Sequence, residues 1–230
     1  MPQSGIHAAL GFRTSHYLTY QRRLIPSIIF GAILPDLDYL AVTIGLFFYP
    51  IHISENIFHR TFSHSFFIII IIYLFFAVFA EWTKNKNLKI TGEGLAIGML
   101  THIVLDTFFW FNEIHFLWPL PIKPFNLWQG LDIPTWSTRA LDTLEFFCFR
   151  WYACFLIDRH IHFPTKSAWI ITYLNYWKKI ENVLFMCFII LLIWFSNIFT
   201  ILFIITYTFS IIIALLVTYV SRDAIDGSQL

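Results

Sequence analysis

"HRTFSHSFFIIIIIYLFFAVFAEW" occupies residues 59–82. From Ser65 to Trp82 it holds a single ionisable residue, Glu81. A run of that length lies within the range of about 17–25 residues that a helix needs to cross a bilayer. Just ahead of it stand His59, Arg60 and His64. The stretch predicts a membrane helix with imidazoles and a guanidinium gathered at its mouth.

The rest of the chain fits that reading. Of 230 residues, 58% are hydrophobic, 20% aromatic and 13% charged, where a soluble domain carries about 25% charge. Mean hydropathy is +0.68. The expected fold is all-α, a multi-pass transmembrane bundle of about five to seven helices. One integral membrane domain is expected over residues 1–230. Residues 1–125 form its metal-site half; 126–230 hold a loop and the C-terminal helices. A net charge of +1 offers no basic field for nucleic acid. Cys148, Cys154 and Cys187 are scattered in apolar runs and form neither a disulfide framework nor a zinc knuckle. No charged n-region precedes an apolar core, so no cleavable signal peptide is expected.

Residues 65–82 and 94–111 are the clear spans. The run 183–220 is long enough for two, and Ser196 and Asn197 favour a hairpin there. The run 24–49 is broken by "LPDLD" at 34–38. Residues 144–157 contain Arg150 and are short for a span unless the helix extends backwards. Residues 5–20 read as a polar membrane helix or an interfacial one. Basic residues set the orientation. Arg22, Arg23, Lys84, Lys86, Lys89, Arg159, Lys166, Lys178, Lys179 and Arg222 fall on one side, taken as cytoplasmic. Arg60, Lys123 and Arg139 fall on the other. This arrangement requires 144–157 to span.

Ionisable residues at membrane depth are costly and mark functional sites. In "GLAIGMLTHIVLDTFF", residues 94–109, the residues Gly94, Gly98, His102 and Asp106 recur every fourth position. They share one slowly drifting helix stripe. The glycines admit a close neighbour, and His102 and Asp106 project into that contact. A His and an Asp one turn apart can hold a metal ion. They also read as a hydrogen-bonded pair on a packing face. In "LPDLDYL" Pro35 suits the start of a new helix, with Asp36 and Asp38 in its first turn. On a helix these two point about 200° apart, so one is the direct ligand unless the turn is irregular. His59 and Arg60 are expected in a loop, with Ser63 capping the next helix and His64 in its first turn. Depth then brings His7, Asp36 or Asp38, His59, His64, His102 and Asp106 to one level. That donor set suits one or two divalent ions, zinc first. Arg60 suits a substrate anion such as phosphate.

The motifs "GIHAALGF", "GAILPDLDYL", "HRTFSHS", "GMLTHIVLD" and "FLWPL" together resemble the YdjM-like inner-membrane proteins. These are predicted metal-dependent hydrolases, distantly similar to zinc-dependent phospholipases. The resemblance covers roughly residues 5–125. It implies roles for His7, Asp36, Asp38, His59, Arg60, His64, His102 and Asp106. Ser63 stands where the family has Thr, and "TFFWFNEI" lacks the family's Thr-x-x-Gly turn.

The expected function is a membrane hydrolase acting on a lipid or lipid-linked ester at the non-cytoplasmic surface. The alternative is a metal-binding transporter or sensor, which would need a polar path to both sides. Other residues read as background. His160 and His162 are expected at the interface, and His52 and His115 in exposed loops. Trp110, Trp118, Trp128 and Trp136 read as an outer aromatic belt, and the 183–220 hairpin as scaffold.

Overall fold

A computed structural model describes residues 4–15, 17–18, 23–109, 111–163, 168–194 and 197–227. Among these the fold is all-α, with one isolated bridge between Ile114 and Phe125. The helices are α1 (Ser4–Ser15), α2 (Leu24–Ile33), α3 (Tyr39–Gly45), α4 (Ile51–Phe58), α5 (Phe66–Thr83), α6 (Lys86–Phe109), α7 (Thr135–His162), α8 (Ala168–Trp194), α9 (Asn197–Val220) and α10 (Arg222–Asp226).

Among the described residues, four segments are long and apolar enough to cross a membrane: Leu24–Gly45, Phe66–Thr83, Lys86–Phe109 and Ile198–Val220. At 28 and 27 residues, α7 and α8 are as long but carry more charge. The weak 144–157 stretch therefore does extend backwards, to Thr135. The 183–220 run is divided between α8, described to Trp194, and α9, described from Asn197; Ser196 lies outside the described residues, as do Arg22, Trp110 and Lys166. The first arm of that expected hairpin is the end of the longer α8, which packs along α7 through Phe146–Phe188 and Tyr152–Trp177.

Packing partners fix the helix directions. Gly94 meets Leu24 and Ser27, and Gly98 meets Ile28 and Ala32, so α2 and α6 run parallel in close contact. A Cβ on Gly98 would strike the backbone of Ile28, and one on Gly31 would strike Leu95. These glycines allow the backbones to touch and fix the height of His102 against α2. In α1, Ser4 lies beside Asp36 while Gly11 lies against Ile28 and Ile29, so α1 runs antiparallel to α2. The same reasoning sets α9 antiparallel to α2, with Tyr207 on Asp36 and, further along α9, Thr218 and Tyr219 beside Arg23 and Ser27. In consequence the start of α1, the end of α2, the start of α5, the end of α6 and the middle of α9 converge at one level.

Between α2 and α3 the chain does not break. Leu34–Asp38 forms a 3-10 turn with Pro35 near its start. That turn is the irregularity that sends Asp36 and Asp38 to different partners. The loop after α6 folds back over α5: Phe66 N–H donates to Phe116 O and Ser65 Oγ to Trp118 O.

Candidate metal centre

His102 hangs from the stripe of α6 that faces α2. Its Nδ1 lies 2.7 Å from Ala32 O, which can only accept. Nδ1 therefore carries the proton, and neutral His102 presents its lone pair at Nε2. His64 is fixed by a longer chain. Ser63 Oγ donates to Asp38 Oδ2 at 2.6 Å. With its one proton committed, Ser63 Oγ accepts from His64 Nδ1 at 2.8 Å. His64 thus also presents a lone pair at Nε2. The two Nε2 atoms stand 3.1 Å apart. Asp106 Oδ2 lies 3.1 Å from His64 Nε2 and 3.4 Å from His102 Nε2. Asp36 Oδ1 lies 3.5 Å from His102 Nε2.

With both imidazoles neutral, these lone pairs and carboxylates repel, and a metal ion among them or a proton on an Nε2 would relieve the repulsion that Arg60 only partly offsets. Two ligands held about 2.05 Å from a tetrahedral ion sit roughly 3.3 Å apart, close to these spacings. His7 completes the group. Its ring stacks on His102 at 3.8 Å, and its Nε2 lies 3.2 Å from Asp106 Oδ1. That approach is close but not aligned as a hydrogen bond; both His7 nitrogens and Asp36 Oδ1 are buried without one among the described residues. Such orphaned atoms are what a bound ion would satisfy. Two triads meet the spacing for a metal, His7–His102–Asp106 and Asp36–His64–His102, and all five residues are buried. His102 has one available lone pair, so the triads share it and form one site.

The remaining sequence-derived candidates lie one bond further out. Asp38 accepts from Ser63 Oγ, from Arg60 N at 2.9 Å and from His59 Nδ1 at 2.8 Å. Its oxygens are occupied in holding the 59–64 turn, and it acts on the centre through His64. His59 is bound to Asp38 and packs against Tyr39. Burial, then the neighbouring Arg60 charge, holds its imidazole well below the usual range and so neutral. Arg60 is 1% exposed, and its Nε lies 2.9 Å from Asp106 Oδ2. The guanidinium expected to await a substrate anion is at least partly engaged by Asp106. It takes a left-handed backbone, with φ 56°. Ser63 is not the cap of α5. Ser65 is, accepting from Phe67 N, and His64 precedes the helix.

Three supporting residues were not anticipated. Ser4 Oγ donates to Asp36 Oδ2 at 2.6 Å, and Tyr207 Oη lies 3.0 Å from the same oxygen. Glu145 accepts from Gly5 N–H and anchors the start of α1 beneath His7. Hydroxyls at Tyr207, Thr208 and Ser210 within an otherwise apolar run were the available signal. The hairpin arm read as scaffold thus reaches the site. His160 is 2% exposed and pairs with Ser221, so it packs inside the protein.

A polar hollow of about 560 Å³ opens beside the centre, lined by Glu55, Asn56, His59, Arg60, Asn112, Glu113, His115 and Asn126. His115, expected to stand alone in a loop, belongs to this wall, and its N–H donates to Arg60 O. His59 and Arg60 are therefore both wall of the hollow and border of the centre. An apolar slot of about 680 Å³ is walled by Phe108, Phe109, Phe111, Trp128, Trp136 and Leu144, so that Phe111 of the slot is next in sequence to Asn112 of the hollow.

The chain matches the family model described as YdjM inner membrane protein over residues 3–224. It is 34% identical to the uncharacterised protein YvsG of Bacillus subtilis (strain 168) over 96 residues, 40% of this chain and 55% of YvsG. The chain thus spans about half the length of that curated relative. No solved structure matches it. The match reaches from before α1 to the start of α10, taking in every residue of the centre. The chain belongs to the YdjM inner membrane protein family.

Proposed function

We propose that the protein is a membrane-embedded, metal-dependent hydrolase of a lipid or lipid-linked ester. The observation that carries the reading is the pair of Nε2 atoms at 3.1 Å, ringed by two carboxylates, behind the His59 and Arg60 wall of a polar hollow. His7, Asp36, His64, His102 and Asp106 would hold the ion. Three imidazoles with two carboxylates suit zinc among the common divalent ions. Such an ion lowers the pKa of bound water and polarises an ester oxygen.

The chain's own residues supply the rest. Ala32 and Ser63 fix the two imidazole tautomers. Arg60 holds Asp106 and places positive charge at the base of the hollow, where an anionic leaving group or phosphoryl oxygen would collect. The apolar slot beside the hollow suits the hydrocarbon part of the substrate. The basic-residue count favours the non-cytoplasmic side for this end. Below the centre α2 and α6 meet backbone to backbone through Gly94 and Gly98, and Ile25, Ile28 and Ile29 are at most 2% exposed. That seal between α2 and α6 favours a fixed one-sided site over a transport path. The test is hydrolysis of a phospholipid and lipid-phosphate panel by metal-loaded protein and by His102→Ala. Turnover of one class by the wild type alone supports the reading. Loaded wild type inactive on the whole panel favours the transporter or sensor.

A further inference from the structure

A second cleft lies at the opposite end of the bundle. It measures about 370 Å³ and is lined by Arg23, Pro26, Ser27, Phe30, Phe76, Leu88, Thr91, Leu95, Thr218, Tyr219 and Arg222. Its floor is α2, through Pro26 and Phe30. One wall is α5 and α6, through Phe76, Leu88 and Leu95, and the other is the end of α9. Three of these elements are the apolar candidate spans of the fold, and α2 begins the fourth. The serine and threonine hydroxyls of the lining are already spent inside the protein: Ser27 donates to Arg23 O, Thr91 to Asn87 O and Thr218 to Ala214 O. To an occupant the walls are effectively apolar.

The rim is different. Arg23 and Arg222 stand at the mouth. Arg222 lies over the Tyr219 ring at 4.4 Å and donates to Tyr219 O. Arg23 is held by its backbone, whose N–H donates to Asp226 Oδ2, and its guanidinium has no partner among the described residues. Asp226 Oδ2 accepts that N–H, and Asp223 is exposed on α10. Lys84, Lys86 and Lys89 end the same side of the bundle. An apolar cleft between spans with two guanidiniums at its lip is complementary to one occupant, a bilayer lipid with an anionic phosphate headgroup.

We propose that this cleft is a binding site for an anionic phospholipid, its chain against Phe30, Phe76 and Leu95 and its phosphate between Arg23 and Arg222. The site is separate from the metal centre. It does not depend on the hydrolase reading.

The experiment is native mass spectrometry of the full chain in detergent, titrated with phosphatidylglycerol or phosphatidylcholine of equal chain length. The wild type should bind one phosphatidylglycerol with a preference of about 30-fold, equal to about 2 kcal/mol at 1.4 kcal/mol per decade for two basic residues. Arg23→Gln with Arg222→Gln should abolish the preference, and Lys86→Gln with Lys89→Gln should keep most of it. Thr91→Trp, which fills the cleft and leaves both arginines, should lose the tight lipid. Helical circular dichroism checks that each variant is folded. Equal binding of the two lipids by the wild type overturns the proposal. So does a preference that survives the arginine substitutions, or one that falls as far with the lysine pair.

Discussion

His64 Nε2 and His102 Nε2 face each other at 3.1 Å although each imidazole has committed its proton elsewhere, His64 to Ser63 and His102 to Ala32. With both rings neutral, two acceptors at hydrogen-bond distance make no bond between them. Their approach is imposed by the 59–64 turn on one side and the glycine-packed α2–α6 pair on the other, and a proton or a bound cation would resolve it.

Ser63 is the cheapest place to disturb that arrangement. Ser63→Ala removes the link from Asp38 to His64 without touching a metal-facing atom. Metal affinity should fall by about 10- to 100-fold, the usual range for a partner of a ligand. Ser63→Thr keeps the hydroxyl and should bind like the wild type. Competition against a chelator measures both; equal affinity for all three proteins would mean that the relay does not orient His64.

Acid should unsettle the metal-free protein through the same residue. Burial pushes the His64 imidazole down to about 4 from its usual 6.5. Between those values the unfolded chain takes up a proton that the fold refuses. Stability therefore falls as pH drops through that window and is unaffected by this group above it. His59, also held low, acts in the same sense. In metal-free His64→Gln the loss of melting temperature between about pH 7.5 and about pH 5 should shrink. An unchanged loss would show that His64 does not titrate in this way.

Arg60 separates binding from turnover. Arg60→Lys keeps the charge beside Asp106 but not the planar fork. Bound metal should stay near the wild-type level, while turnover on a substrate from the panel should drop roughly 30- to 1000-fold, about 2–4 kcal/mol of transition-state stabilisation. Wild-type turnover in Arg60→Lys would leave Arg60 as a structural partner of Asp106 alone.

Sidedness can be read from thiol labelling. With Cys148, Cys154 and Cys187 replaced, Ile57→Cys beside the hollow should react with an impermeant reagent from outside the cell, and Lys86→Cys should not. The opposite pattern would put the metal centre on the cytoplasmic face and its substrate in the inner leaflet.

Much of this was legible in the sequence because membrane cost makes polar residues conspicuous. The four-residue spacing from Gly94 to Asp106 marks both the packing stripe and two members of the buried His and Asp cluster. Periodicity could not divide Asp36 from Asp38, because their separation depends on a 3-10 turn. Nor could it show that Arg60 would turn onto Asp106, which follows from a left-handed backbone at a non-glycine residue. Tyr207 escaped notice because a single phenol in a Phe-rich helix looks like packing until Asp36 arrives opposite it. The cap of α5 was placed on Ser63, whose hydroxyl the distant Asp38 had claimed.

The most direct test of the metal centre is the metal content and affinity of purified wild type, His102→Ala and Asp106→Asn, each reconstituted with zinc and checked for helicity. The wild type should hold bound metal, and each variant should bind at least about tenfold more weakly. A wild type that takes up no divalent ion, or folded variants that match it in stoichiometry and affinity, would contradict the account.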